Sequence, residues 1–295
     1  MLSFYRPDYN ASEPPRLCLT AFSERATVLD VDKLVLLKLG GSLITDKTLP
    51  YTPRLETLDD LAVQIAKALR SDPELKLVVG HGSGSFGHEA ASRYQTRRGV
   101  TGAEGWRGFA EVWYQASALN RLVIESLRRA SLPCVVLAPV SAVTARDGSL
   151  ASWDLAPLRS ALAAGLLPVV HGDVVFDGVR GGTILSTEDL FVHIARQLHP
   201  QHILLAGRED GIWADFPERT RLIEELKPGD LDTQAPELKA PAGADVTGGM
   251  KAKVVQMSAL VKEIPELDVL IFSGIEPGNV QQALLGARPG TFIHV

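Results

Sequence analysis

Apolar positions along this chain follow two alternating rhythms. Short continuous runs at Lys33 to Leu39, Lys76 to Val79, Cys134 to Leu137, Leu166 to Val170, His202 to Ala206 and Asp268 to Phe272 read as strands, several of them buried on both faces. Between them, apolar residues recur every three or four positions. Leu58, Leu61, Ile65, Ala68 and Leu69 predict a helix over 58–69, and Phe109, Val112, Trp113, Ala116, Leu119, Val123 and Leu127 predict a long amphipathic helix over 105–130. Further helices are expected over 154–164, from Thr187, from Asp245 through Val261 and over 277–285, with a last strand over 291–295. Thr187, Glu188 and Asp189 place polar and acidic groups at the start of their helix. Val174 to Asp177 and Gly182 to Leu185, flanking Gly178 and Gly181, read as a hairpin. Strand–helix alternation predicts an α/β fold around a mostly parallel sheet covered on both faces. The stretch 214–244 is polar and contains proline; residues 1–30 are proline-dotted and form an N-terminal extension.

Composition narrows the partners. The 295 residues allow one large domain or two joined lobes. Thirty basic against thirty-five acidic residues leave a charge of −5, so no bulk basic field points to nucleic acid. No apolar run approaches the roughly 20 residues that cross a bilayer, and the start lacks a signal-peptide pattern. A cytoplasmic protein with no membrane partner is the expectation. Cys18 and Cys134 suggest neither a disulfide framework nor a zinc site, and the sequon Asn10-Ala11-Ser12 is too short to imply secretion.

The chemistry concentrates at strand ends. Glycines follow the apolar runs at 40–41, 80–87, 172, 207 and 274, and Gly248-Gly249 opens a predicted helix. In open α/β sheets ligands bind at the carboxyl edge, and backbone amides freed by glycine suit a polyanion. Gly82, Gly84 and Gly87 fit a dinucleotide fingerprint, but the next strand ends Leu137-Ala138-Pro139 without the acidic residue that holds a ribose. No Walker segment, G-x-S-x-G elbow, H-E-x-x-H pair or Cys/His cluster is present, so no protein metal site is expected. Lys38 interrupts a buried strand just before Gly-Gly, and Lys253 sits in the first turns of a helix, where a cation is disfavoured unless an anion binds. Lys47 is the third candidate cation; Lys251 points to another face than Lys253. His88 faces where that anion would sit, while His81 braces the loop. Asp173 orients a substrate or lysines, or starts a turn. Phe109 and Trp113 are core, or line an apolar substrate cavity.

Together, Lys38-Leu39-Gly40-Gly41-Ser42 with Thr45-Asp46-Lys47, His81 to His88, His171-Gly172-Asp173, Asp245 to Met250 with Lys253, and Gly290 to Ile293 resemble the amino acid kinase superfamily over residues 33–295. The segment His81-Gly82-Ser83-Gly84-Ser85-Phe86-Gly87-His88, with its final histidine, is similar to the branch of isopentenyl phosphate kinases and their fosfomycin kinase relatives. The resemblance implies an open α/β/α sandwich, with an acceptor lobe over 31–185 and an ATP lobe over 186–295. It implies a homodimer that phosphorylates isopentenyl phosphate with ATP and Mg²⁺. Lys38, Gly40, Gly41, Ser42 and Gly84 would touch the ATP phosphates, and Asp210, Gly248, Gly249 and Lys253 would serve the nucleotide. Lys47 would sit near the transferring group and His88 would hold the acceptor phosphate, beside Ser83, Gly172 and Asp173. Ser83 stands where the family usually has glycine. Ser186-Thr187-Glu188-Asp189 replaces a common Ser-Gly-Asp-Asp, which leaves the lysine-organising carboxylate open between Glu188 and Asp189. A fosfomycin or small-acid kinase is the alternative within the fold; a nonenzymatic ATP-binding regulator is the alternative of another class. Carboxylate acceptors call for a guanidinium clamp, and no arginine lies within 77–92, although Arg93, Arg97 and Arg98 follow.

Overall fold

The computed structural model of the protein describes residues 33–234 and 246–295. The N-terminal extension and Asp245 lie outside the described residues. The described residues open with β1 (Leu34–Leu39), α1 (Gly41–Ile44) and α2 (Leu55–Ser71), then β2 (Lys76–His81), α3 (Gly84–Tyr94) and α4 (Gly102–Arg129). It continues through β3 (Cys134–Val136), α5 (Pro139–Ala142), β4 (Val143–Arg146), β5 (Ser149–Trp153) and α6 (Ala156–Ala163). Next come β6 (Leu167–His171), β7 (Asp173–Asp177), β8 (Gly181–Leu185), α7 (Thr187–Leu198) and β9 (His202–Gly207). The last part holds β10 (Ile212–Trp213), β11 (Leu222–Ile223), β12 (Glu225–Leu226), α8 (Leu231–Gln234), α9 (Val246–Glu263), β13 (Asp268–Ser273), α10 (Asn279–Leu284) and β14 (Gly290–Ile293).

One eight-stranded sheet, ordered β12-β14-β13-β9-β1-β2-β6-β3, runs through the molecule. Its pairs are parallel except β13 with β14. The two-residue period of β1 sorts its side chains. Leu34 and Leu36 pack with Leu190, Phe191 and Ile194 of α7 and with Val254 and Met257 of α9. Val35, Leu37 and Leu39 pack on the other face with Leu58, Leu61 and Ile65 of α2 and Leu119 and Val123 of α4. This is the expected α/β/α sandwich. Leu58, Leu61 and Ile65 are at most 2% exposed, and each such burial contributes about 1.5–3 kcal/mol. The same parity sends Lys38, in phase with Leu34 and Leu36, toward α7. It sends His81 and His171, in phase with Val79 and Val169, toward α4.

A second sheet, ordered β5-β4-β7-β8, grows from the carboxyl edge, because β7 starts two residues after β6 ends. Its β7–β8 hairpin is antiparallel, as the glycines between its arms predict. Strands β4 and β5 are not anticipated by the apolar pattern: Val143 and Ala145 are buried and Thr144 and Arg146 exposed, too short an alternation to stand out. Their turn carries the signal instead, as Asp147 and Gly148 take φ +50 and +80, the geometry of a two-residue Asp-Gly hairpin. The Asp177 carboxylate ties both hairpin turns together, accepting from the amides of Asp147 (3.0 Å), Gly148 (2.7 Å), Val179 (2.8 Å) and Arg180 (2.8 Å). The polar stretch after residue 214 also holds β11 and β12, each only two residues and so without a period to read. Among the described residues, no helix is long and apolar enough to cross a membrane.

Candidate active site

The loops after β1 and β2 touch backbone to backbone. Gly40 donates to Ala206 O at 2.8 Å, and a Cβ there would lie 2.9 Å from that oxygen. A Cβ on Gly41 would lie 2.6 Å from Gly84 N, and Gly84, at φ +51, would drive one into Thr45. Both positions therefore require glycine. The buried Thr45 hydroxyl clamps the pair, donating to Gly41 O (2.7 Å) and accepting from Ser85 N (2.9 Å). Ser42 lies half-buried in α1. Ser83 is accommodated because its side chain packs over Gly87, where any Cβ would collide with Ser83 Oγ.

Lys38 is buried and forms an ion pair with Glu188 Oε2, while Lys253 Nζ lies 3.9 Å from Glu188 Oε1. Burial pushes the Lys38 ammonium below the ordinary lysine range, and the Glu188 carboxylate opposes that. Burial also raises the Glu188 carboxyl, but the charges of Lys38 and Lys253 outweigh it and hold the carboxyl below its usual value. The choice between the two acids is thus resolved geometrically. Asp189 is turned away into a capping box with Ser186 and accepts from Gln256 Nε2 at 2.8 Å. Among the described residues, Glu188 is the carboxylate that forms ion pairs with both lysines.

Beside this pair opens a cleft of about 390 Å³. Its lining includes Lys38, Gly82, Ser83, His88, Gly172 and Asp173, together with the apolar Ala91, Val112, Ala116, Ile184 and Leu185. Four of the expected acceptor-site positions, Ser83, His88, Gly172 and Asp173, therefore meet in one cavity. His88 stands one turn into α3, exposed at its rim. His81 is fully buried, its Nδ1–H donating to Gly82 O (3.1 Å) and Nε2 lying 3.0 Å from the Asn120 side-chain amide. Burial lowers its pKa. It stacks on its register partner His171 with ring centroids 5.2 Å apart, which fits the bracing role. Burial pushes His171 down to about 3 and Asp173 up to about 7.

Some residues fall elsewhere. Lys47 is exposed on the loop after α1 and does not line the cleft; Asp210 is exposed after β9, and Gly248 and Gly249 occupy the first turn of α9. Phe109 does not line the cavity: it packs against Trp106 and Phe176 and beside Gly182. Trp113 is 43% exposed. The helical stripe put both on α4, but Val112 and Ala116 are the α4 residues that face the cleft. Arg97 also lines it, held there by its carbonyl, which accepts from Thr183 Oγ1 at 3.0 Å. Its chain position past α3 conceals this, since only the fold of β8 beside it brings it back.

The model of the amino acid kinase family matches residues 33–273. The chain is 31% identical over 268 residues to the isopentenyl phosphate kinase of Methanocaldococcus jannaschii, covering 88% of this chain and 98% of the relative. It is 35% identical over 265 residues to that of Haloferax volcanii, with the same coverage. A solved isopentenyl phosphate kinase structure superposes with a TM-score of 0.74 at 28% identity, covering 88% of this chain and 99% of that one.

Proposed function

The chain belongs to the amino acid kinase family, and we propose that it transfers the terminal phosphoryl group of ATP to isopentenyl phosphate, giving isopentenyl diphosphate and ADP. The observation that carries this reading is the composition of one cleft. The buried Lys38, three glycines, His88 and the apolar Val112, Ala116, Ile184 and Leu185 line the same cavity. Such a cavity suits a small phosphomonoester with a short hydrocarbon tail. Relatives named for this activity match nearly their whole length.

The acceptor needs no general base. A phosphate monoester has a second pKa of about 6 and is already a dianion at neutral pH. The barrier is repulsion between two polyanions, overcome by alignment and electrostatic stabilisation. In this reading His88 holds the acceptor phosphate, with Ser83, Gly172 and Asp173 around it. Lys38, Gly40, Gly41, Ser42 and Gly84 cradle the ATP phosphates. Glu188 keeps Lys38 charged and holds Lys253 near it. Lys47 sits near the transferring group. Asp210, Gly248 and Gly249 serve the nucleotide from the C-terminal lobe, which divides the chain into an acceptor half and an ATP half. Among the described residues no group of three or more His, Cys, Asp or Glu is placed to hold a metal. Mg²⁺ would therefore be held chiefly by the phosphate oxygens of the nucleotide. When bound it neutralises phosphate charge.

A coupled ADP-release assay with isopentenyl phosphate, dimethylallyl phosphate, fosfomycin and acetylglutamate tests the assignment. Turnover is expected with isopentenyl phosphate. Activity on fosfomycin alone would overturn the substrate, and none on any acceptor would favour an ATP-binding regulator.

A further inference from the structure

Two residues lining the cavity carry a lasting positive charge, Lys38 and Arg97. Lys38 is paired with Glu188. The arginines around Arg97 are engaged as well. Arg93 lies over the Tyr94 ring at 5.3 Å, Arg98 Nη1 donates to Gln95 Oε1 at 3.1 Å, and Arg180 Nε donates to Asp147 Oδ1 at 2.9 Å. The Arg97 guanidinium has no ion pair, hydrogen bond or ring partner among the described residues. Its place in the cleft is set by the backbone. The chain leaves α3 at Gln95 in the left-handed region (φ +50), and the turn that follows packs against both α3 and β8. There the Arg97 carbonyl accepts from the buried Thr183 Oγ1 at 3.0 Å, and Val100 N donates to Arg180 O at 2.8 Å. Ala91 and Ser92 of α3, and Ile184 and Leu185 just after Thr183, line the same cavity. Arg97 is thus tied by its main chain to elements that form the cleft, while the residue stays exposed.

We infer that the Arg97 guanidinium binds the acceptor phosphate through its non-transferred oxygens and so sets the affinity for the acceptor. The inference rests on the reading of the cleft proposed above and adds to it a cation that Lys38, paired with Glu188, does not supply. A guanidinium keeps its charge at every working pH, and its planar fork matches two phosphate oxygens at once. Arg97 makes and breaks no covalent bond; it holds the dianion in place and offsets its repulsion with ATP. A carboxylate on a small-acid acceptor is the other anion such a fork would take. The apolar Val112, Ala116, Ile184 and Leu185 in the lining favour an acceptor whose one anionic group is its phosphate.

The test compares the full-length wild type with Arg97→Ala and Arg97→Lys. The hydrogen bonds that Arg97 makes within the fold run through its carbonyl, which both variants keep, so melting should shift little. Arg97→Ala should raise KM for isopentenyl phosphate at least about tenfold, with KM for ATP held within about twofold. Lysine, a point charge without the fork, should recover only part of that loss. Calorimetric titration of isopentenyl phosphate into the nucleotide-free protein should rank affinity the same way, wild type above Arg97→Lys above Arg97→Ala. Should alanine unsettle the turn, the lysine variant decides, because it must still fall short of wild type in acceptor affinity alone. Unchanged acceptor KM and affinity in Arg97→Ala overturn the inference. So does an equal rise in KM for both substrates, or a loss of turnover confined to acetylglutamate. A wild-type protein that neither binds nor phosphorylates isopentenyl phosphate defeats the functional reading, and the inference with it. Wild-type turnover matched by Arg97→Ala defeats the inference alone.

Discussion

Replacing Glu188 with Gln keeps the side-chain volume and removes the charge that Lys38 and Lys253 share. Glu188 is 3% and Lys38 6% exposed, so the substitution breaks a buried pair by deleting one partner. That loss costs about 3–5 kcal/mol, because a charge is left buried without compensation. Lys38 is already pushed below the ordinary lysine range by burial, so it can relieve part of the cost by losing its proton. We therefore expect about 3 kcal/mol by denaturant unfolding at neutral pH. The same proton loss removes the cation at the proposed phosphate cradle, and turnover should drop at least about a hundredfold, roughly 2.7 kcal/mol of transition-state stabilisation. Asp189→Ala is the control. It removes a capping box and the Gln256 bond, worth about 1 kcal/mol, and should leave turnover within about threefold. The sign with pH is fixed by the direction of the shift. Glu188 is held below its usual pKa, so its stabilisation is present above the ordinary glutamate range and is lost as pH falls through the lowered value. The gap between wild type and E188Q should close in acid. Equal stability of the two at neutral pH, or a larger loss of turnover in Asp189→Ala, would refute the assignment of Glu188.

Three further substitutions probe separate parts of the site. His88→Ala should cut turnover on isopentenyl phosphate at least about tenfold while calorimetric ATP binding is kept; unchanged turnover would remove His88 from the acceptor site. Lys47→Ala should lower kcat by at least about tenfold, roughly 1.4 kcal/mol, with little change in fold or melting. Asp173→Asn should stabilise the ligand-free protein at alkaline pH. The native carboxyl, at about 7 against an ordinary 3.8, retains a proton that the unfolded chain has released, so wild-type stability falls as pH rises between those values. Above the higher value the relief should approach about 4 kcal/mol, and below the lower one it should vanish, both read by denaturant unfolding.

Much of this architecture is legible in the sequence because its strands are continuous apolar runs and its main helices strongly periodic. Parity along β1 also makes the side chosen by Lys38 readable, since Leu34 and Leu36 share its face. What escapes is set by long-range packing. Val143 to Trp153 hides a hairpin because only two residues of β4 are buried. Phe109 and Trp113 share the α4 stripe with Val112, and only the placement of β8 determines that Val112 and Ala116 face the cavity. Glu188 and Asp189 are adjacent acids at one helix start. Their separation into a lysine bridge and a cap depends on Ser186 closing its box with the third helical residue.

The central claim is that the cleft joins a phosphate to a phosphate. ³¹P NMR of the protein incubated with ATP, Mg²⁺ and isopentenyl phosphate tests it directly. The acceptor's single monoester resonance should be replaced by the two coupled resonances of a diphosphate ester as ADP accumulates. An acceptor resonance that persists unchanged while ATP is consumed, or that is converted only when fosfomycin takes its place, would contradict the account.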